Sequence, residues 1–249
     1  MIFREKMQNI LKNRLPDNTK TESVEAFIME SIRKYALSKS PSESLKFLLT
    51  LNNEIYTLTG QEAMRYGDGI HTKHRHIKYH EFFIKNIHEG ETVLDIGCGN
   101  GALAYDVVSR FENVSLTGID MNETNISFAK QTYSHPRLEF YLGNALTDLP
   151  GKSFDVVILS NVLEHLENRV DFLLSMKKVI SPKRVLLRVP LFERDWRVPL
   201  MKELGIDYRL DKTHFVEYVQ EEFEDEIRES GYSIGEKEFR WGELWCVAK

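Results

Sequence analysis

The sequence predicts an α/β fold: a doubly wound, largely parallel sheet preceded by a helical extension. Three observations carry this. From Thr92 onward, short apolar runs alternate with helix-like stretches; residues 1–66 show helical periodicity and no convincing strand; and the chain ends in a hairpin pattern.

Within the extension, VEAFIMESIRKYAL reads as one amphipathic helix. A second begins at SPSESLKFLLTLNNEI, with Ser40 as N-cap, Pro41 at the first helical position and Glu43 completing a capping box. Leu45, Leu48, Leu49 and Ile55 recur at helical spacing, and GDG at 67–69 punctuates the end. The expected division is 1–66 for the extension and 67–249 for the α/β domain.

The strand-like runs are TVLDIGC (92–98), SLTGID (115–120), LEFYLG (138–143), FDVVILS (154–160) and RVLLRVP (184–190). ALAYDVVSRF, ETNISFAKQTY and DFLLSMKKVI separate them as helices. Runs this apolar are buried on both faces, as in a sheet built from βαβ units. HFVEYVQEEFEDEIRESGY reads as a further amphipathic helix, and YSIGEKEFRWGELWCVAK as a hairpin turning near Trp241 and Gly242.

With 249 residues the chain can bury a full core without metal or disulfide staples. It has 33 Lys and Arg against 38 Asp and Glu, a formal charge of −5. No overall basic field exists for DNA or long RNA. Cys98 and Cys246 are its only cysteines, which suits a reducing compartment and excludes an all-cysteine zinc site. No apolar run is long enough to span a bilayer, and no signal-peptide pattern is present. The expectation is a soluble, cytoplasmic protein without membrane insertion, whose N-terminal helices would carry any homo-oligomerisation.

VLDIGCGNGAL is the strongest chemical signal. A buried strand runs into Gly97, Gly99 and Gly101 before a helix, a turn that lets backbone N–H groups approach a ligand. Asp120 closes the next strand, where an acid binds ribose hydroxyls. The loop alone fits nicotinamide and S-adenosyl-L-methionine equally. Asp95 favours the second: a carboxylate there repels a pyrophosphate but suits a cofactor with a sulfonium, an amino group and no phosphate.

LDIGCGNG, GIDMNE, GNALTDLP and FDVVILSNVLEHL, in that order over residues 90–190, resemble the four motifs of class I S-adenosylmethionine-dependent methyltransferases. The resemblance implies a seven-stranded Rossmann-like sheet whose last strand is antiparallel. It also implies that Asp95, Gly97 and Gly99 line the methionine part, Asp120 binds the ribose diol and Met121 packs on adenine. Asn144 and Ala145 would sit at the adenine edge and Ser160 under the cofactor. In these enzymes the preceding segment folds over the cofactor, which makes Arg75, in HTKHRHIKYHEFF, the candidate for the methionine carboxylate, with Lys73 and His74 beside it.

SNVLEHL places Asn161, Glu164 and His165 at i, i+3 and i+4, one face if a helix starts there. With His214 of THFVEY, the set resembles the metal-binding constellation of small-RNA 2′-O-methyltransferases, with Asn161 replacing one glutamate. The resemblance implies Glu164, His165 and His214 as ligands of Mn²⁺ or Mg²⁺. The residues also admit plain positioning of helix and cofactor, or proton transfer by His165 or His214. Residues 191–214 are too long and too polar for a simple connection and read as a substrate-binding insertion, with Asp195 a candidate catalytic group and Arg188, Trp196 and Arg197 candidate substrate contacts.

The whole-chain pattern, including RDWRVPL and WGELWCV, looks like methyltransferases of bacterial surface and capsular polysaccharide clusters. That implies O-methylation of a sugar hydroxyl, on a nucleotide sugar or a capsule residue. The alternatives are a small-metabolite N- or C-methyltransferase, an RNA 2′-O-methyltransferase, and a catalytically silent S-adenosylmethionine-binding interaction subunit.

Overall fold

The computed structural model describes residues 21–249. The part of the helical extension before Thr21 lies outside the described residues. The chain divides into two compact units, one comprising the N-terminal segment to Thr59 with Glu203–Ile206, the other Gly60–Lys202 with Asp207–Lys249.

The first unit holds α1 (Thr21–Leu37) and most of α2 (Pro41–Tyr66). The capping box forms as its sequence dictates: Ser40 N–H donates to Glu43 Oε2 at 3.1 Å and Glu43 N–H to Ser40 Oγ at 3.4 Å. Helix α2 runs to Tyr66, and Asp68 and Gly69 beyond it take positive φ.

The second unit is a seven-stranded sheet in the order β3-β2-β1-β4-β5-β7-β6. The strands are β1 (Thr92–Ile96), β2 (Ser115–Asp120), β3 (Leu138–Leu142), β4 (Val156–Ser160), β5 (Arg184–Pro190), β6 (Ile234–Arg240) and β7 (Glu243–Ala248). The first five pair in parallel, and β7 is antiparallel to both β5 and β6. Trp241 and Gly242, at φ +55° and +76°, make the hairpin turn, the double positive φ of a tight two-residue connection.

Helices α3 (Lys73–Ile77), α4 (Tyr79–Lys85) and α5 (Ala102–Arg110) follow the extension and the glycine loop. Then come α6 (Glu123–Thr132), α7 (Arg169–Ile180), α8 (Arg197–Glu203) and α9 (Gln220–Glu229). Alternate residues of the central strands feed two cores. Leu94, Leu159, Leu187 and Tyr218 belong to one, with Phe172 and Phe223; Val93, Ile158, Leu186 and Trp245 belong to the other, with Phe82 and Phe83.

Two segments depart from the sequence reading. SNVLEHL does not begin a helix: Asn161 sits at φ +57°, Leu163–His165 form a single 3₁₀ turn, and α7 starts only at Arg169. Asn161 N–H is taken by Arg188 O at 2.8 Å, which ties the chain to β5 and prevents helical propagation from β4. Likewise, residues 214–219 are not helical. Tyr218 bridges Leu191, and Phe192 N–H donates to Tyr218 O at 2.8 Å, so this stretch runs extended beside the end of β5 and α9 begins at Gln220. Val216 and Tyr218 suit that extended course.

Gly101 shows how tightly the loop is held. Its φ is +82°, and an added Cβ would lie 2.6 Å from Phe140 Cζ and 2.9 Å from Ala129 Cβ. We expect Gly101→Ala to lower unfolding free energy by about 2–4 kcal/mol, combining left-handed strain with overpacking. Urea denaturation monitored by tryptophan fluorescence checks this.

Candidate active site

The glycine loop is pinned from below by β2. Gly97 and Cys98 donate N–H bonds to Ile119 O at 2.8 and 3.1 Å, and Gly99 N–H donates to Asp120 Oδ2 at 2.8 Å. The other Asp120 oxygen accepts from Asn122 N–H at 2.8 Å. Gly97, at φ +70°, has no room for a side chain, since a Cβ would stand 2.6 Å from Val162 Cγ2. The loop that opens β1 to a ligand is thereby fitted against the segment after β4.

Above it lies a cavity of about 890 Å³. Gly97, Asp120, Met121, Asn144 and Ala145 line it on one side, and Asn161, His165 and His214 on another. Met121 is exposed at the rim. Asn144 is held by its own turn: its N–H donates to Asp148 Oδ2 at 2.8 Å and its Oδ1 accepts from Leu146 N–H at 2.9 Å. Asp95 and Ser160 stand at the ends of β1 and β4 but do not line the cavity. Gly99 meets it only through its bond to Asp120.

Asp95 is 2% exposed, and burial, then the charge of Asp120, pushes its pKa up to about 8. The folded protein therefore holds a proton there that the unfolded chain has already released above about pH 4. Its contribution lowers stability as pH rises from about 4 to about 8, by up to about 1.4 kcal/mol per pH unit. We expect Asp95→Asn to flatten this slope and to weaken binding of S-adenosylmethionine more than that of an analogue lacking the amino group. Urea midpoints at several pH values, with calorimetry of both ligands, measure the two effects.

On the other side, Glu164, His165 and His214 each offer a ligand atom, all within 4.8 Å of one another. The two imidazoles meet edge to face with centroids 4.5 Å apart. Glu164 is fully buried, and neither of its carboxylate oxygens has a hydrogen-bond partner; Asn161 Oδ1 is likewise buried and unpartnered. Burial pushes the Glu164 pKa up to about 8. Two unmatched carboxylate oxygens in the interior are costly unless a proton or cation meets them. His214 Nδ1 is 3.0 Å from Glu217 Oε1, and Glu217 is in turn held by Arg194 Nη1 and Leu210 N–H, both at 2.6 Å.

Several expected participants lie elsewhere. Arg75 is exposed, stacks over Tyr66 at 5.5 Å from the ring centroid, and does not line the cavity. His74 bonds the Tyr79 hydroxyl at 3.0 Å, and burial, followed by the charge of His80, lowers its pKa to about 4. Asp195 is bonded to Arg197, which holds its pKa down at about 2, and it does not line the cavity. Arg188 is bidentate to Glu243 at 2.7 and 2.6 Å, stacks on Tyr79, and does not line the cavity. Trp196 is 73% exposed.

Of the insertion, only its end reaches the cavity: Arg209, Lys212, Thr213 and His214 line it, with Phe215 next in sequence. Sequence reasoning missed all of these except His214. The available signal was DKTH, an Asp-x-Thr turn just before a histidine.

A family model described as a methyltransferase domain matches residues 87–204. Over those residues the chain is similar to a methyltransferase domain. Among curated relatives of this domain, a fatty-acid O-methyltransferase of Mycolicibacterium smegmatis is 36% identical over 107 residues, 42% of this chain and 38% of its own length. A ubiquinone biosynthesis O-methyltransferase of Rickettsia bellii is 32% identical over 120 residues, 47% of this chain and 49% of its own. The chain thus spans half or less of the length of these two relatives. A magnesium protoporphyrin IX methyltransferase from Synechocystis, solved with S-adenosylhomocysteine, superposes with TM-score 0.57 at 18% identity, covering 80% of this chain and 98% of that one. A small RNA methyltransferase gives TM-score 0.57 at 19% identity, covering 69% of this chain and 25% of that one. These likenesses establish the fold of the α/β unit alone. No helix among the described residues is long and apolar enough to cross a membrane.

Proposed function

We propose that this chain transfers the methyl group of S-adenosylmethionine to a hydroxyl of a sugar bearing a vicinal diol, with a divalent cation at Glu164, His165 and His214. The observation that carries the reading is the fully buried Glu164, both oxygens unpartnered, beside two histidines that line the same cavity as Asp120 and Gly97.

S-adenosylmethionine supplies an electrophilic methyl group on a sulfonium: the acceptor oxygen bonds to the methyl carbon, and the breaking S–C pair stays on sulfur. Asp120 serves the ribose diol, and Asp95, protonated in the free protein, would meet the cationic amino group by giving up that proton on binding. Asn144 and Ala145 flank the adenine, with Met121 over it and Gly97 giving the methionine backbone its close approach. The donor set of one carboxylate and two imidazoles fits Mn²⁺ best and Mg²⁺ less well, because imidazole is the softer ligand. A cation there supplies acidification and orientation of the acceptor hydroxyl. Asn161, which lines the same cavity with its Oδ1 unpartnered, offers a further neutral oxygen. With both imidazoles holding the cation, the proton of the acidified acceptor hydroxyl would pass to solvent water as the O–C bond forms.

An O-acceptor agrees with the relatives above, a fatty-acid O-methyltransferase and a ubiquinone biosynthesis O-methyltransferase. The net charge of −5 favours a small acceptor over RNA. The polysaccharide-cluster resemblance selects a sugar. The test is transfer of labelled methyl from S-adenosylmethionine across nucleotide sugars, glycosides and their deoxy counterparts. Expected is Mn²⁺-dependent labelling of diol-bearing sugars that vanishes when one hydroxyl of the pair is removed. Labelling of monohydroxy acceptors, undiminished in excess chelator, overturns the metal and diol parts of the reading.

A further inference from the structure

We infer that Thr213 and Asp211 are positioning residues that fix His165 as its Nδ1–H tautomer, leaving Nε2 with the lone pair. The inference deepens the proposed metal reading but stands on hydrogen-bond geometry of its own.

Thr213 Oγ lies 2.7 Å from Asp211 Oδ1 and 2.9 Å from His165 Nδ1. A hydroxyl has one proton to give. Asp211 also accepts from Thr213 N–H at 2.8 Å, and these two bonds hold its carboxyl below the usual range, so it is ionised and only accepts. The threonine proton therefore goes to Asp211. The remaining contact works only if His165 Nδ1 carries hydrogen and donates to the threonine oxygen. The threonine oxygen, its own proton committed to Asp211, is the acceptor that faces His165 Nδ1.

Free imidazole side chains favour the Nε2–H form, so the relay reverses the default. The reversal matters because an Nε2 that kept its proton could neither ligate a cation nor accept a proton from a substrate. His214 reaches the same state by a different device, donating Nδ1–H directly to the Glu217 carboxylate. The two rings are thus preset alike, one through a hydroxyl relay at the surface and the other through a buried acid.

The experiment is nitrogen-15 spectroscopy of the histidine rings in metal-free full-length protein at mildly alkaline pH, for wild type, Thr213→Val, Thr213→Ser and Asp211→Ala. Expected is the Nδ1–H pattern for His165 in wild type and Thr213→Ser. A shift toward Nε2–H is expected in Thr213→Val, with a mixture in Asp211→Ala. Calorimetric Mn²⁺ affinity should fall about 10- to 100-fold in Thr213→Val and be restored in Thr213→Ser. An Nε2–H pattern in wild type, or an unchanged pattern in Thr213→Val, overturns the inference. Wild type that shows the Nδ1–H pattern but binds no Mn²⁺ supports the inference and removes the metal reading, so the two fail separately. Asp211→Ala lies on the exposed turn and keeps the test decisive should Thr213→Val perturb folding.

Discussion

His214→Ala should abolish saturable Mn²⁺ binding and lower methyl transfer at least about 100-fold, while S-adenosylhomocysteine binding stays within about twofold of wild type. His214 is 6% exposed and supplies one of three clustered ligand atoms, so its removal leaves the buried Glu164 with a single imidazole. A site of two protein ligands loses most of its affinity, and Glu164 then keeps its proton in the neutral range. The cofactor side is built from β1, β2 and the loop after β3, none of which touches His214 by a hydrogen bond, so it should persist. Titrating Mn²⁺ calorimetrically into protein saturated with S-adenosylhomocysteine gives the first readout and labelled methyl transfer the second. Metal binding that survives in the variant while turnover collapses would instead make His214 a proton acceptor. His214→Asn, which keeps a polar group at the position, guards against a fold defect.

The strand ends and the glycine loop were legible because their geometry is local. Asp95, Gly97 and Asp120 stand at or just beyond the ends of adjacent strands, and apolar runs buried on both faces mark those strands in the sequence. The capping box at Ser40 and the turn at Trp241 and Gly242 were legible for the same reason, since each partner lies within a few residues. The acceptor half depends on tertiary pairing. Helical spacing in SNVLEHL suggested one face for Asn161, Glu164 and His165, yet the bond from Asn161 N–H to Arg188 O breaks the helix, and burial gathers Glu164 and His165 with a distant His214. The same pairing with β5 draws residues 214–219 out of the helix their apolar pattern suggested. Arg75 and Asp195 misled for a related reason: cations and acids in a sequence find the nearest partner, here Tyr66 and Arg197, and neighbouring rings and charges cannot be ranked without coordinates.

Asp120→Ala should weaken S-adenosylhomocysteine binding by about two to three orders of magnitude while leaving Mn²⁺ binding intact, the mirror image of His214→Ala. Hydrogen bonds to a charged group contribute about 1.5–3 kcal/mol each, and a ribose diol offers two donors. The carboxylate also holds the loop through Gly99 N–H, so the alanine variant loses a backbone anchor as well as a ligand contact. Asp120→Asn separates these roles: its carbonyl oxygen can still accept from Gly99, but the charge is gone, and affinity should fall only about tenfold. If both variants lose affinity equally, the charge on Asp120 is what binds. If neither moves it by more than about threefold, the ribose is held elsewhere and the domain's second motif serves only to fasten the glycine loop. Carried out alongside the histidine variant, the titrations show whether one cavity holds two separable sites, a cofactor site fixed by strand ends and a cation site assembled by a loop.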